Sequence, residues 1–362
     1  MIPLLRLLNL KEEHGRDCLN NTLKPMAKTK KTKPILSSSP DQELADLRVE
    51  LRSKFGERAI KTHLEVKPIE SISTGILGLD RALGGGIPLG RMIELVGNSG
   101  AGKTTIILSA MIQAQKKFPD KIVVYIDAEH ALDIPWAAKV GIDLSRFDHV
   151  HPEFAEDALT IMEKYASSGK VSLIGLDSVP ALLPSVVMEG DIGDANIGKQ
   201  ALLIAQEMQR LGSIIYKNEN LSVLLVNQKR AQLASRGGFQ GFEPTKATGG
   251  MALPFYMTTR LEVYRSATIK NSSNDEIGQE VTVYVKKNKV LNGPGARVAF
   301  DILNSTGIDT AKEILKLALE KEKIVKAGAW FKVNDEKFQG EEAVKQYIRE
   351  NLESKWVKEW IS

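Results

Sequence analysis

The stretch MIELVGNSGAGKTT, residues 92–105, decides the fold. It begins as a short apolar run, turns through Gly97, Gly100 and Gly102, and enters a segment of helical pattern from Thr104 to Gln115. The eight residues GNSGAGKT (97–104) satisfy the phosphate-loop pattern, placed between a strand and a helix start as the mechanism requires. Glycines let the backbone fold so that its N–H groups face a polyphosphate, and the helix N-terminus adds a favourable partial charge. On this reading Gly97, Asn98, Ser99, Gly100, Ala101, Gly102, Lys103, Thr104 and Thr105 cradle a nucleotide. Lys103 reaches the β- and γ-phosphates, and the Thr104 hydroxyl faces Mg²⁺.

Outward from this loop, strands and helices alternate. KIVVYID (121–127), VSLIGLD (171–177) and LSVLLVNQ (221–228) read as strands, with helices at Ala155–Tyr165 and Lys199–Tyr216 between them. Short, nearly continuous apolar strands separated by helices predict a parallel sheet covered on both faces. The period then changes. RLEVYR (260–265) and QEVTVYVKKNK (279–289) alternate in twos around a polar turn at Asn271–Gly278, so a hairpin should extend the sheet.

Before the core, Leu44, Leu47, Val49, Leu51 and Phe55 recur at helical spacing up to Gly56. A lone amphipathic helix buries its stripe either on its own core or on a neighbouring copy. Residues 1–39 carry Lys24, Lys28, Lys30, Lys31 and Lys33 and too little apolar surface to offset their ordering entropy, which predicts a disordered basic leader. That leader serves either as an arm on DNA phosphate or as a solubilising segment. Met26 opens MAKTKKTK, which reads as a natural start, so residues 1–25 are expected to be an upstream extension absent from the working protein. The organisation expected is thus 1–39 leader, 40–69 N-terminal helix and strand, 70–308 core and 309–362 a small α/β unit with helices near 310–320 and 340–352.

Composition narrows the function classes. With 49 Lys and Arg against 45 acids in 362 residues, the net charge is +4, so any nucleic-acid surface must be local. A single cysteine, Cys18, rules out an intramolecular disulfide and a Cys-rich zinc module and fits a reducing cytoplasm. The most apolar run, Val171–Met188, is interrupted by Asp177, Pro180 and Pro184, so no membrane helix is expected.

Three further positions suggest chemistry. Asp177 ends an apolar strand, where a carboxylate suits Mg²⁺; a capping Asp is the other reading, and the phosphate loop favours the metal. A water-activating base is needed, and Glu129 in YIDAEH is placed for it, with Asp127 and Asp133 as competitors that spacing does not separate. Trp136 offers a flat side chain for a nucleoside, or else a core residue.

The segments ISTGILGLD (72–80), GNSGAGKT (97–104), YIDAEHALD (125–133), LDSVPALLP (176–184), EGDIGD (189–194), VNQKR (226–230), TGG (248–250), KNK (287–289) and AGAW (327–330) occur in the order seen in bacterial RecA recombinases. From about Asp41 to the mid-340s the chain resembles that family. The resemblance implies an α/β fold: a RecA-type P-loop NTPase core with a mostly parallel sheet, appended hairpin, N-terminal helix and small C-terminal α/β domain. It implies a DNA-dependent ATPase using ATP and Mg²⁺, polymerising as a helical filament on single-stranded DNA and pairing it with homologous duplex in DNA repair and the SOS response. Loader or repressor partners belong to the same expectation.

By resemblance, Glu129 activates the attacking water, Trp136 stacks on adenine, Asp133 meets the adenine edge, and Gln228 senses the γ-phosphate. Lys287 and Lys289 match residues that reach the ATP of the neighbouring subunit, as an arginine finger does. Two loops, 190–198 and 229–248, face DNA. Ile197 and Leu233 stand where the family places wedges between base steps, and Gly198, Lys199, Arg210, Arg230, Arg236, Lys246, Gly249 and Gly250 accompany them. Phe255 and the helix at 41–55 match protomer contacts. Leu202 and Gln209 depart from the family, which usually has phosphate-contacting arginines there; the second loop is longer, and the strongly acidic tail is missing. Such departures suit a phage, plasmid or otherwise divergent copy. A ring-forming helicase or translocase of the same fold, and an ATP-switched DNA-binding regulator, are the competing expectations.

Overall fold

The computed structural model describes residues 40–57, 59–62, 68–188, 199–230, 246–247, 253–290 and 293–361. The chain divides into a unit that ends at Lys67 and one that runs from Pro68 to Ser362. In the first, α1 (Pro40–Phe55) carries Asp41 and Glu43 in its first turn and Arg52 and Lys54 in its last, matching the helix dipole at both ends. Leu44, Leu47, Val49 and Phe55 are exposed. The expected leader at 1–39 lies outside the described residues.

The second unit is built on a nine-stranded sheet. After α2 (Leu77–Leu83) come β1 (Met92–Gly97), α3 (Lys103–Lys117), β2 (Ile122–Asp127), α4 (Ile134–Val140), β3 (Phe147–Val150), α5 (Ala155–Ser167) and β4 (Val171–Asp177). Next follow α6 (Lys199–Lys217), β5 (Ser222–Asn227), β6 (Thr259–Lys270), β7 (Glu276–Asn288), β8 (Arg297–Leu303) and β9 (Gly307–Ile308). The spatial order is β9-β8-β7-β6-β1-β5-β4-β2-β3, parallel from β6 to β3 and antiparallel from β6 to β9.

Alternation along each strand divides the core between the two faces. Ile93, Leu95, Tyr125 and Leu173 pack with Ile107 and Met111 of α3, whereas Met92, Val124, Ile126 and Ile174 pack with Met162 of α5 and Met208 and Leu211 of α6. Gly175 brings α3 close: a Cβ there would lie 2.7 Å from Ile107 and 2.9 Å from Met111. The hairpin is longer than its alternation predicts, because Glu276–Gly278 pair with Lys270–Ile269 and belong to the ladder. The turn closes within Asn271–Asp275, where the Asn271 side-chain oxygen accepts the N–H groups of Ser273 and Asp275.

The last residues form a small α/β cluster: α7 (Thr310–Glu320), the antiparallel strands β10 (Ile324–Ala327), β11 (Trp330–Val333) and β12 (Glu336–Gln339), then α8 (Glu341–Glu350) and α9 (Lys355–Ile361). Its own core holds Ile314, Phe331, Val344, Ile348 and Trp360. Glu313 of α7 ties it to α2, accepting the Leu77 N–H at 2.5 Å. Burial pushes the Glu313 carboxyl up to about 7, with the Asp80 charge adding and the Leu77 and Gly78 N–H groups and Lys316 opposing.

A folded pKa above the unfolded value gives stability that is full below about 4.5 and is lost as pH rises through about 7. That loss amounts to up to about 3 kcal/mol. Glu313→Gln keeps the acceptor without the charge, so its thermal stability should fall less than the parent's between about pH 5 and about pH 8. Parallel melting curves across that range would contradict the assignment.

Candidate active site

The phosphate loop leaves β1 at Gly97, where a Cβ would collide with the Val263 carbonyl of β6. Gly102 sits at φ 93°, a left-handed conformation that leads directly into α3. The Lys103 ammonium donates to the carbonyls of Gly97 (3.1 Å) and Asn98 (2.7 Å). Burial lowers its pKa, against the opposing charges of Asp177 and Glu129. The Thr104 hydroxyl donates to Asp177 Oδ2 at 2.6 Å, and the Tyr125 hydroxyl donates to the same oxygen at 2.8 Å.

Asp177 is 6% exposed. Its burial pushes the carboxyl up, with the Glu129 charge adding, against the Thr104 and Tyr125 hydroxyls and the Lys103 charge. An all-oxygen pair of hydroxyl and buried carboxylate fits a hard cation such as Mg²⁺, whose charge would hold Asp177 ionised. A cavity of about 260 Å³ opens beside these groups, lined by Ser99–Thr105 with Glu129, Asp177, Gln228 and Gln279.

The ends of three strands meet there. Glu129 follows β2, Ser178 follows β4 and Gln228 follows β5, so the C-terminal edge of the parallel sheet faces the loop, as is usual for ligand sites of this architecture. Glu129 Oε1 accepts from the Gln228 amide at 2.9 Å and from the Ser178 hydroxyl. The competing carboxylates are used otherwise. Asp127 is buried and accepts the N–H groups of Ala131 (3.2 Å) and Leu132 (3.0 Å) and a hydrogen bond from His149 (3.1 Å). Burial acts to raise its pKa, but those hydrogen bonds prevail and hold it below the usual carboxylate range. Asp133 caps α4, accepting the Trp136 N–H at 3.1 Å.

Over residues 43–309 the chain matches the RecA N-terminal domain, and over 312–356 the RecA C-terminal domain. The chain belongs to the RecA family. It is 40% identical to Protein RecA of Nitratiruptor sp. over 317 residues, covering 86% of this chain and 90% of the relative. Protein RecA of Campylobacter hominis is 42% identical over 291 residues (79% and 81%), and that of Bdellovibrio bacteriovorus 41% identical over 290 (80% and 74%).

The remaining candidates of this RecA-family chain fall in three places. Trp136 is half-buried against the α3 face of the core, its indole N–H donating to the Asn304 carbonyl at 3.4 Å, apart from the phosphate cavity. Lys287 and Lys289 lie at the opposite end of the sheet. Lys287 pairs with Arg260, which pairs with Glu94, three residues before Gly97 on β1. At ~3.3 Å per residue, Glu94 lies about 10 Å along β1 from the start of the phosphate loop, and Lys287 is two strands to the side at the same level. Asn288 points inward to Thr259 and Leu83, which leaves the two lysines on the other face. Lys287 donates to the Pro254 carbonyl at 2.5 Å, beside Phe255, which is 76% exposed. Burial lowers the Lys287 pKa, with the charges of Lys289 and Arg260 adding.

Among the DNA candidates, Ile197, Gly198, Leu233, Arg236, Gly249 and Gly250 lie outside the described residues. Lys199 begins α6 and is exposed, as is Leu202, while Arg210 is paired with Glu163 (2.8 Å) and Glu207 (3.5 Å). The backbones of Arg230 and Lys246 pair in a two-residue antiparallel ladder. Lys229, the first residue of the second loop, turns inward to the Tyr264 hydroxyl (2.7 Å) and Glu262 (3.2 Å). Tyr125, Ser178 and Gln279 join the site without a role assigned from the sequence: Tyr125 and Ser178 lie in YIDAEHALD and LDSVPALLP, and Gln279, whose amide donates to the Gly100 carbonyl at 3.2 Å, arrives from the hairpin. Among the described residues no helix is long and apolar enough to cross a membrane.

Lys103→Ala removes the ammonium from the floor of this cavity. ATP turnover should fall to background, measured as phosphate release with saturating single-stranded DNA. Turnover at the parent rate would place the nucleotide elsewhere.

Proposed function

We propose that this chain is a DNA-dependent ATPase that polymerises on single-stranded DNA and drives homologous pairing and strand exchange in recombination and repair, acting in the cytoplasm. The observation that carries the reading is the hydrogen bond between Gln228 and Glu129. It joins the water-activating position to the base of the second loop, so one contact senses the nucleotide and reports to DNA. When ATP occupies the cavity, the Gln228 amide turns to the γ-phosphate. Glu129 then takes a proton from water as its oxygen attacks phosphorus and the bond to the ADP oxygen breaks. Lys103 follows the phosphate charge. Thr104 and Asp177 would hold Mg²⁺, which would supply charge neutralisation at the phosphate oxygens.

Lys287 and Lys289 lie toward the end of the sheet away from their own phosphate loop, which suits a role on the ATP of a neighbouring copy. Two cations delivered across a protomer junction tie hydrolysis to polymer formation, with exposed Phe255 and α1 as contacts of the same junction. Ile197 and Leu233 then separate base steps, while Lys199, Arg230, Arg236 and Lys246 follow the backbone, so binding is salt-sensitive and largely indifferent to sequence.

Electron microscopy on single-stranded DNA with a slowly hydrolysed ATP analogue should show helical filaments. A strand-exchange assay with single-stranded circles and homologous linear duplex should yield joint molecules. Closed rings that unwind duplex would point to a helicase, and ATPase rates equal with and without DNA would point to a regulator; either result would overturn the proposal.

A further inference from the structure

Three of the chain's five histidines gather at one corner of the sheet, in a cluster that the nucleotide chemistry does not use. His149 and His151 form an H-x-H pair at the end of β3, so both rings point to one face. Parallel register sets Tyr125 of β2 opposite His149 and Ile126 opposite Val150, which brings Asp127 to the same face beside His151. One donor atom from each of Asp127, His149 and His151 lies within 4.8 Å of the others. His149 Nε2 is already 3.1 Å from Asp127 Oδ2, and His130 Nδ1 is 3.1 Å from His151 Nδ1. The His149 and His151 rings meet edge to face at 4.0 Å.

These spacings match a coordination polyhedron. A tetrahedral centre with bonds of 2.0–2.1 Å has donor–donor edges of about 3.3 Å. The Asp127–His149 edge needs almost no adjustment, and His151, being exposed, has room to swing inward. His130 is held at φ 53°, a left-handed conformation uncommon for a residue with a Cβ, and this sets its ring against His151.

We propose that Asp127, His149 and His151 form a binding site for a zinc-class divalent cation, with His130 supporting His151 from the far side. Imidazole nitrogens select borderline transition metals, whereas Mg²⁺ demands oxygen donors in octahedral array. The site therefore discriminates against the ion suited to Thr104 and Asp177. In the bound state His149 ligates through Nε2 as the neutral ring with its hydrogen on Nδ1, and the Nε2–cation bond replaces its hydrogen bond to Asp127. Asp127 keeps the Ala131 and Leu132 N–H groups, which orient the carboxylate as outer-sphere partners commonly do. Glu129 lies between Asp127 and His130 in the chain, so the cation fixes the turn that carries it.

Co²⁺ is the probe, because its visible ligand-field absorption reports geometry. Titrated into the full-length, tag-free chain with Mg²⁺ in excess and no nucleotide, it should saturate at one equivalent with the intense bands of a tetrahedral or five-coordinate nitrogen–oxygen site. His151→Ala, at an exposed position, should weaken binding at least about tenfold. The pair His149→Ala with His151→Ala should abolish it, and Zn²⁺ should displace the Co²⁺ spectrum from the parent. His14→Ala with His63→Ala, the two remaining histidines, should leave it unchanged. Absence of the bands in the parent, their survival in the His149/His151 pair, or their loss in the His14/His63 pair would overturn the site.

Discussion

The hydrogen bond from the Thr104 hydroxyl to the buried Asp177 carboxylate is the contact on which the site depends. It joins the first turn of α3 to the end of β4, two strands away from β1 in the sheet. Tyr125, from the next strand over, donates to the same oxygen. Three elements distant in sequence are thereby fixed around one atom. Side chains held this way by packed strands present a cavity whose shape does not wait for the ligand.

Electrostatics at that point are unbalanced in a consistent direction. Burial pushes the Asp177 carboxyl up and the Lys103 ammonium down, while their opposite charges and the Thr104 and Tyr125 hydroxyls act against both shifts. A bound magnesium nucleotide would oppose both shifts: the cation would favour the carboxylate and the phosphates the ammonium. At the other end of the sheet, Lys287 is depressed by burial and by the charges of Lys289 and Arg260, against the Glu94 carboxylate, which is ion-paired with Arg260. One protomer thus carries the phosphate loop toward one end of the sheet and Lys287 and Lys289 toward the other. On the proposed function, the two meet in the seam between copies, and the strand between them sets the span that the polymer must bridge.

The phosphate loop, the parallel strands and the hairpin were legible because their signals are local: glycine spacing, apolar runs and period-two alternation. Spacing left Glu129, Asp127 and Asp133 level, since all three lie within seven residues. Only the tertiary arrangement separates them, by giving Asp127 to its own turn and His149, Asp133 to a helix cap, and Glu129 to the cavity. The inward turn of Lys229 is invisible for the same reason, because Glu262 and Tyr264 reach it from a strand more than thirty residues away. The histidine cluster is the extreme case. His149 and His151 belong to no motif, and only the register of β2 against β3 sets them beside Asp127. Glu313 likewise reads as an ordinary helical glutamate, and its burial against α2 emerges only from packing of the C-terminal cluster.

The central claim is that one working site takes its phosphate loop from one copy and its lysines from the next. Mixing two inactive chains tests it most directly: one bearing Lys103→Ala, the other bearing Lys287→Ala with Lys289→Ala. On single-stranded DNA, junctions that join the second chain's phosphate loop to the first chain's lysines are complete. The account predicts that the mixture hydrolyses ATP well above the sum of the separate chains. A mixture that stays at that sum, while both chains still assemble on DNA, would contradict it.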